Sequence, residues 1–102
     1  MMEGRPIKFR LLELFSEGEK WNYEVIKQLQ SEYKDFKGDY KGNVINFNII
    51  EIATAGFIIQ RESKIDTDNV YREGSLLMKY SISTLGVEQL ERLKKNLYKR
   101  RK

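Results

Sequence analysis

Asn43-Val44-Ile45-Asn46-Phe47-Asn48-Ile49-Ile50-Glu51-Ile52-Ala53-Thr54-Ala55-Gly56 sets apolar side chains at helical spacing and closes on a glycine. Ile45, Ile49 and Ile52 share one face; Asn43 is placed to cap the start of a helix over residues 44–55, and Gly56 to take its left-handed end. The residues downstream decide the fold. Residues 57–63 and 76–82 are rich in β-formers and flank a polar loop, 64–75, the pattern of a hairpin with a long tip. Tyr80-Ser81-Ile82-Ser83-Thr84-Leu85-Gly86 then leads into a fourth helix, capped by Ser83 or Thr84, with Val87, Leu90, Leu93 and Leu97 on a narrow stripe.

Upstream, Pro6 suits a first helical turn, and Ile7, Leu11, Leu14 and Phe15 follow on one face until Gly18, with Leu12 beside them. Lys8, Arg10, Glu13 and Glu17 occupy the other face. Asn22 is placed to cap a second helix reaching about residue 34, with Trp21 as a hydrophobic staple on Ile26, and Ile26, Leu29 and Tyr33 on its apolar face. Between the second and third helices stands a short tandem repeat, Asp35-Phe36-Lys37-Gly38 and Asp39-Tyr40-Lys41-Gly42, whose Asp and Gly residues favour consecutive turns. Helix, helix, helix, hairpin, helix is the order of an α+β winged helix-turn-helix: a three-helix core, a two-stranded β-hairpin wing and a C-terminal helix. The expected organisation is a single domain over 1–98, its C-terminal helix at about 84–98, and a basic tail at 99–102.

At 102 residues there is room for one core. The absence of Cys and His removes disulfides, Cys/His zinc sites, Cys or Ser-His nucleophiles and imidazole acid–base work. No apolar stretch approaches the ~20 residues that cross a bilayer, and Met1 to Pro6 hold no apolar signal region; a cytoplasmic protein without a membrane partner is expected. The net charge of +4 is uneven. Six of the 19 basic residues lie in 94–102, a stretch without an acidic one, leaving 13 basic against 15 acidic residues before it. Asp66-Thr67-Asp68-Asn69 starts like a calcium loop, but the sixth position is Tyr71 where glycine is needed and the twelfth is Leu77 where glutamate is needed. Gly38 to Gly42 lack the spacing of a phosphate-binding loop, and carboxylate pairs such as Glu17 and Glu19 sit at turns without a partner. Neither enzyme activity nor a metal or other cofactor is expected.

Tyr80-Ser81-Ile82-Ser83-Thr84-Leu85-Gly86 resembles the Tyr-x-Leu-Thr-x-x-Gly signature that closes the wing in PadR-like winged-helix regulators, and Leu90 and Leu93 fall where that family repeats leucine. Trp21-Asn22-Tyr23-Glu24-Val25 is similar to the family's His-Gly-Tyr-Glu-Ile stretch, matching at Tyr23 and Glu24. The likeness spans about residues 7 to 97. It implies a minimal dimeric, DNA-binding transcriptional repressor whose third helix enters the major groove and whose C-terminal helix makes the dimer.

If Ile45, Ile49 and Ile52 face the core, the opposite face presents Asn43, Phe47, Ile50 and Thr54, with Asn46 at its edge. Read functionally, Asn46 or Asn43 pairs with adenine while Phe47, Ile50 or the Thr54 methyl touches thymine methyls. Read structurally, Phe47 and Ile50 are core. Lys34, Lys37 and Lys41 before the third helix are placed either to grip phosphates or to solvate a loop. On the wing, Arg61, Lys64 and Arg72 are the candidate backbone contacts, and in the tail Lys99, Arg100, Arg101 and Lys102. The Val87, Leu90, Leu93, Leu97 stripe is one wall of the core or a seam with a second chain. These residues fit two functions. One is a homodimeric regulator on pseudo-palindromic duplex DNA, relieved by an unidentified ligand or protein partner; the other is a winged helix that docks proteins through Phe47, Ile50 and their neighbours.

Overall fold

The computed structural model describes residues 7–33 and 38–100, excluding the side chains of Asp39 and of residues 97–100. The described elements are α1 (Ile7–Ser16), β1 (Lys20–Trp21), α2 (Asn22–Glu32), α3 (Asp39–Thr54), β2 (Ile58–Ile65), β3 (Leu76–Ile82) and α4 (Thr84–Arg100). The three strands form an antiparallel sheet in the order β1-β3-β2. This is the expected α+β winged helix-turn-helix, with one strand more than the hairpin alone. β1 pairs only Lys20 with Tyr80 and Trp21 with Lys79, too short a run to show alternation in sequence.

The core lies where α1, α2 and α3 meet the inner face of the hairpin. α1 carries a broad apolar face, on which Phe9, Leu11, Leu12, Leu14 and Phe15 are all buried, as a helix covered on several sides requires. Val25, Ile26 and Leu29 of α2 and Ile45, Ile49 and Ile52 of α3 close against it. Arg10 binds α1 to the end of α2: its Nε and Nη2 donate to the two carboxylate oxygens of Glu32 at 2.8 and 2.6 Å. That fork raises the Arg10 guanidinium further above its ordinary range and holds the Glu32 carboxyl below its own.

Two glycines are fixed by close approach. A Cβ on Gly86 would lie 2.1 Å from the carbonyl oxygen of Phe57 and 2.7 Å from Ile82 Cγ1. The first turn of α4 therefore rests directly on the backbone that enters β2. Ser83 is the cap: its hydroxyl accepts the Gly86 N–H at 3.0 Å and donates to the Gly56 carbonyl at 2.6 Å. Gly42 plays a similar part in α3, where a Cβ would meet the Tyr71 hydroxyl at 3.0 Å and Gln30 Nε2 at 3.3 Å.

Gly42 also marks a departure from the sequence-based expectation. The second half of the tandem repeat, Asp39 to Gly42, is not a turn but the first turn of α3, which starts five residues before Val44. Packing against α2 and Tyr71 overrides the turn preference of an Asp and a Gly. Two smaller differences occur. β2 runs on through Lys64 and Ile65, with a register irregularity between Gln60 and Glu62, so the loop is 66–75. Trp21, not Asn22, is the N-cap of α2, and the Trp21 ring, expected against Ile26, lies near the ammonium groups of Lys64 and Lys79 at 5.0 and 5.8 Å.

Candidate nucleic-acid interface

With Ile45, Ile49 and Ile52 turned inward, the opposite side of α3 is open. Phe47 is 66% exposed and Ile50 43%, so the reading of these two as core does not hold. Asn43 and Thr54 are exposed beside them. Tyr40, 75% exposed, extends the same face by one turn. It stands three residues before Asn43 and seven before Phe47, the spacing that would have found it had the helix been started at Asp39. The described outward face is thus Tyr40, Asn43, Phe47, Ile50, Glu51 and Thr54, two of its residues aromatic. Glu51 forms an ion pair with Lys8 of α1 at 2.8 Å.

Asn46 is half-buried at the edge of this face and turned toward the start of α2. Its Oδ1 accepts from Nδ2 of Asn22 at 3.3 Å. Asn22 is buried, and its own Oδ1 accepts the backbone N–H of Met78 on β3 at 3.2 Å and that of Tyr23 at 2.9 Å. One buried amide therefore ties the start of α2, the middle of α3 and strand β3 together, a role that sequence reasoning had reduced to helix capping. A groove of about 260 Å³ opens beside it, lined by Ile26, Asn43, Asn46, Tyr71, Arg72 and Leu76 among others.

The wing loop is a folded unit organised by Asp66. Its carboxylate, buried, accepts the N–H groups of Val70 at 2.9 Å and Tyr71 at 2.8 Å. Burial pushes this carboxyl up, but the N–H groups of Tyr71, Val70, Arg72 and Asn69 outweigh it and hold it below its ordinary value. Asp66 N–H donates to the Ser75 carbonyl at 2.8 Å, and Asn69, in the left-handed region at φ 55°, accepts the Glu73 N–H at 3.0 Å. The acidic cluster that starts like a calcium loop thus spends its leading carboxylate on the loop's own backbone.

This loop is fastened to the helices. Lys27 of α2 donates to the Val70 carbonyl at 3.0 Å. Arg72 stacks on the Tyr71 ring at 4.7 Å and donates through Nη2 to the Tyr71 hydroxyl at 2.9 Å and to Asn43 Oδ1 at 3.0 Å. Arg72, expected on the wing, therefore reaches back to Asn43 near the start of α3. Of the other wing cations, Arg61 donates to Ser81 Oγ at 2.8 Å, and Lys64 lies over Trp21. Lys79 pairs with Glu62 at 3.2 Å and Glu19 at 3.6 Å. Lys34, Lys37, Arg101 and Lys102 lie outside the described residues, as do the side chains of Leu97, Lys99 and Arg100.

On α4, Leu90 is buried in the protomer's own core and Leu93 packs against that core, whereas Val87 is exposed and Leu85 beside it more so. Among the described residues no helix is long and apolar enough to cross a membrane, and no group of three acidic side chains is placed to hold a metal ion.

No protein-family model and no curated protein matches the chain. Solved structures do. A candidate transcriptional regulator from Thermoplasma acidophilum superposes with a TM-score of 0.70 at 20% identity, over 93% of this chain and 82% of that one. Bacillus subtilis PadR, in complex with operator DNA, superposes with a TM-score of 0.64 at 22% identity, over 91% of this chain; the chain spans 48% of PadR's length. The fold is the winged helix that these two structures share.

Proposed function

We propose that this chain is a DNA-binding transcriptional regulator that lays the outward face of α3 in the major groove and acts as a homodimer on a pseudo-palindromic site, repressing by occluding a promoter. The observation that carries this reading is the joined surface: an exposed recognition-type helix, with a wing loop fastened near the start of that helix through Arg72 and Asn43 and to α2 through Lys27. A preformed surface of this kind loses little freedom on binding. The winged-helix fold, shared with a protein whose structure includes operator DNA, points the same way. The dimer is drawn from the two-fold bias of oligomers and from α4, which continues past Leu93, the last described leucine on the core. Because Leu90 is spent inside the protomer, the proposed seam is Val87 and the far half of α4, from Leu97 onward. Lys94, Lys95 and the 99–102 tail would add phosphate contacts, and relief by a ligand or a protein partner completes the proposal.

The test is Ile50→Glu. Ile50 is exposed, so the variant should fold with an unchanged melting temperature, while a charge in the groove should weaken binding to labelled duplex by at least about tenfold, or ~1.4 kcal/mol. Wild-type affinity in a folded variant would remove this face from DNA.

A second reading has its own support. Tyr40, Phe47 and Ile50 make an apolar surface, and the wing cations are engaged within the chain. A protein-docking winged helix would look the same there. Ile50→Glu would then leave duplex binding absent in both forms.

A further inference from the structure

A recognition helix reads bases in two ways, by hydrogen bonds to their edges and by apolar contact with the thymine C5 methyl. In α3 the first way is largely taken up by the fold. A bidentate pair with adenine needs an amide whose oxygen and nitrogen both face the groove. Asn43 Oδ1 accepts from Arg72 Nη2 at 3.0 Å, and Asn46 Oδ1 accepts from Asn22 Nδ2 at 3.3 Å. Asn48 turns back to its own helix, donating to the Val44 carbonyl at 2.9 Å. What remains outward is Tyr40, Phe47 and Ile50, with the Thr54 methyl. The surface is suited electrostatically to a polyanion. The one described carboxylate on this face, Glu51, is neutralised by Lys8; Lys41 lies in the first turn of α3, where the helix dipole is positive, Arg72 reaches Asn43 one turn on, and Lys27 of α2 holds the adjoining wing loop.

We infer that this chain selects its DNA chiefly through thymine methyl groups set against Tyr40, Phe47, Ile50 and Thr54, and not through amide pairing with adenine. The inference rests on the reading of the chain as a DNA-binding regulator. A site chosen this way is rich in thymine along the major groove, and Asn46 acts as a positioning residue that keeps α3 in register with Asn22 and β3.

The experiment begins with selection of bound duplexes from a random-sequence pool by the purified full chain, followed by synthesis of the enriched site with deoxyuridine in place of every thymidine. Uracil keeps each hydrogen-bonding edge and removes only the methyl. Affinity should fall roughly fourfold for each contacted methyl, the equivalent of burying one methyl-sized group at ~0.8 kcal/mol. In the Phe47→Ala, Ile50→Ala double variant, whose altered side chains are exposed, the ratio between the thymine and uracil duplexes should shrink toward one. Asn46→Ala should weaken selected and random duplexes by similar factors. Equal affinity of the wild-type chain for thymine and uracil duplexes would overturn the inference and leave the regulator reading standing. A pool that yields no enriched duplex would overturn both, in favour of a protein partner for this face.

Discussion

Gly86 is the residue on which the C-terminal half depends most directly. No side chain fits between the start of α4 and the Phe57 carbonyl, so Gly86→Ala must push α4 away from the Gly56 and Phe57 backbone that Ser83 binds. We predict a loss of about 2–3 kcal/mol in urea unfolding, with an exposed-site control such as Glu88→Ala near zero. The contact also explains why a glycine six residues after the buried Tyr80 is a fold signal: Tyr80 packs edge-on against Phe15 at 5.9 Å, Ser83 caps, and Gly86 lets the helix land. Asp66 is the corresponding residue of the wing. With Asp66 and Glu32 both held below the ordinary carboxylate range, the unfolded chain takes up protons first as pH falls. Their stabilisation is complete above the unfolded value of about 4 and is lost as pH drops through the lower folded values. Melting temperature measured from pH 7 downward should therefore fall in that acid range, and fall less in the Asp66→Asn, Glu32→Gln double variant, which starts lower.

Among the elements, α1 and α2 are joined at the surface by the Arg10–Glu32 fork and α3 is joined to the hairpin by Asn22, Asn46 and Arg72. Arg10→Met should cost about 1–3 kcal/mol of stability, because Glu32, less than a quarter exposed, is left without its cation. The helices were legible in the sequence through the helical spacing of their apolar residues, and both hairpin strands through their β-forming residues around a polar loop. The start of α3 was not, since Asp39 and Gly42 carry turn propensity, and the packing of Gly42 under Tyr71 is a tertiary fact that no local pattern holds. The same limit applies to the site. Spacing placed Asn43, Phe47, Ile50 and Thr54 on one face, but nothing in the sequence told that Phe47 is open, that Asn46 answers to Asn22, or that Arg72 reaches back across 29 residues to Asn43.

At the scale of the whole molecule, charge and shape must be considered together. The positive balance of the chain lies in residues 94–102, while the proposed groove-facing surface is apolar and carries its cations at one end. Assembly is tested with Leu97→Glu, which should yield a folded monomer by sedimentation; Leu90→Glu would break the protomer's own core and decide nothing. An unchanged dimer mass in Leu97→Glu would take the far half of α4 out of the interface. The central claim is that this surface binds duplex DNA, and fluorescence anisotropy of a labelled duplex against the full chain at a series of salt concentrations addresses it most directly. The predicted result is saturable binding in which log K falls linearly with log salt, at about 0.9 for each phosphate neutralised, and a slope flattened by up to about 3.6 per protomer when residues 99–102 are removed. Binding that is absent at low salt, or that does not change with salt, would contradict it.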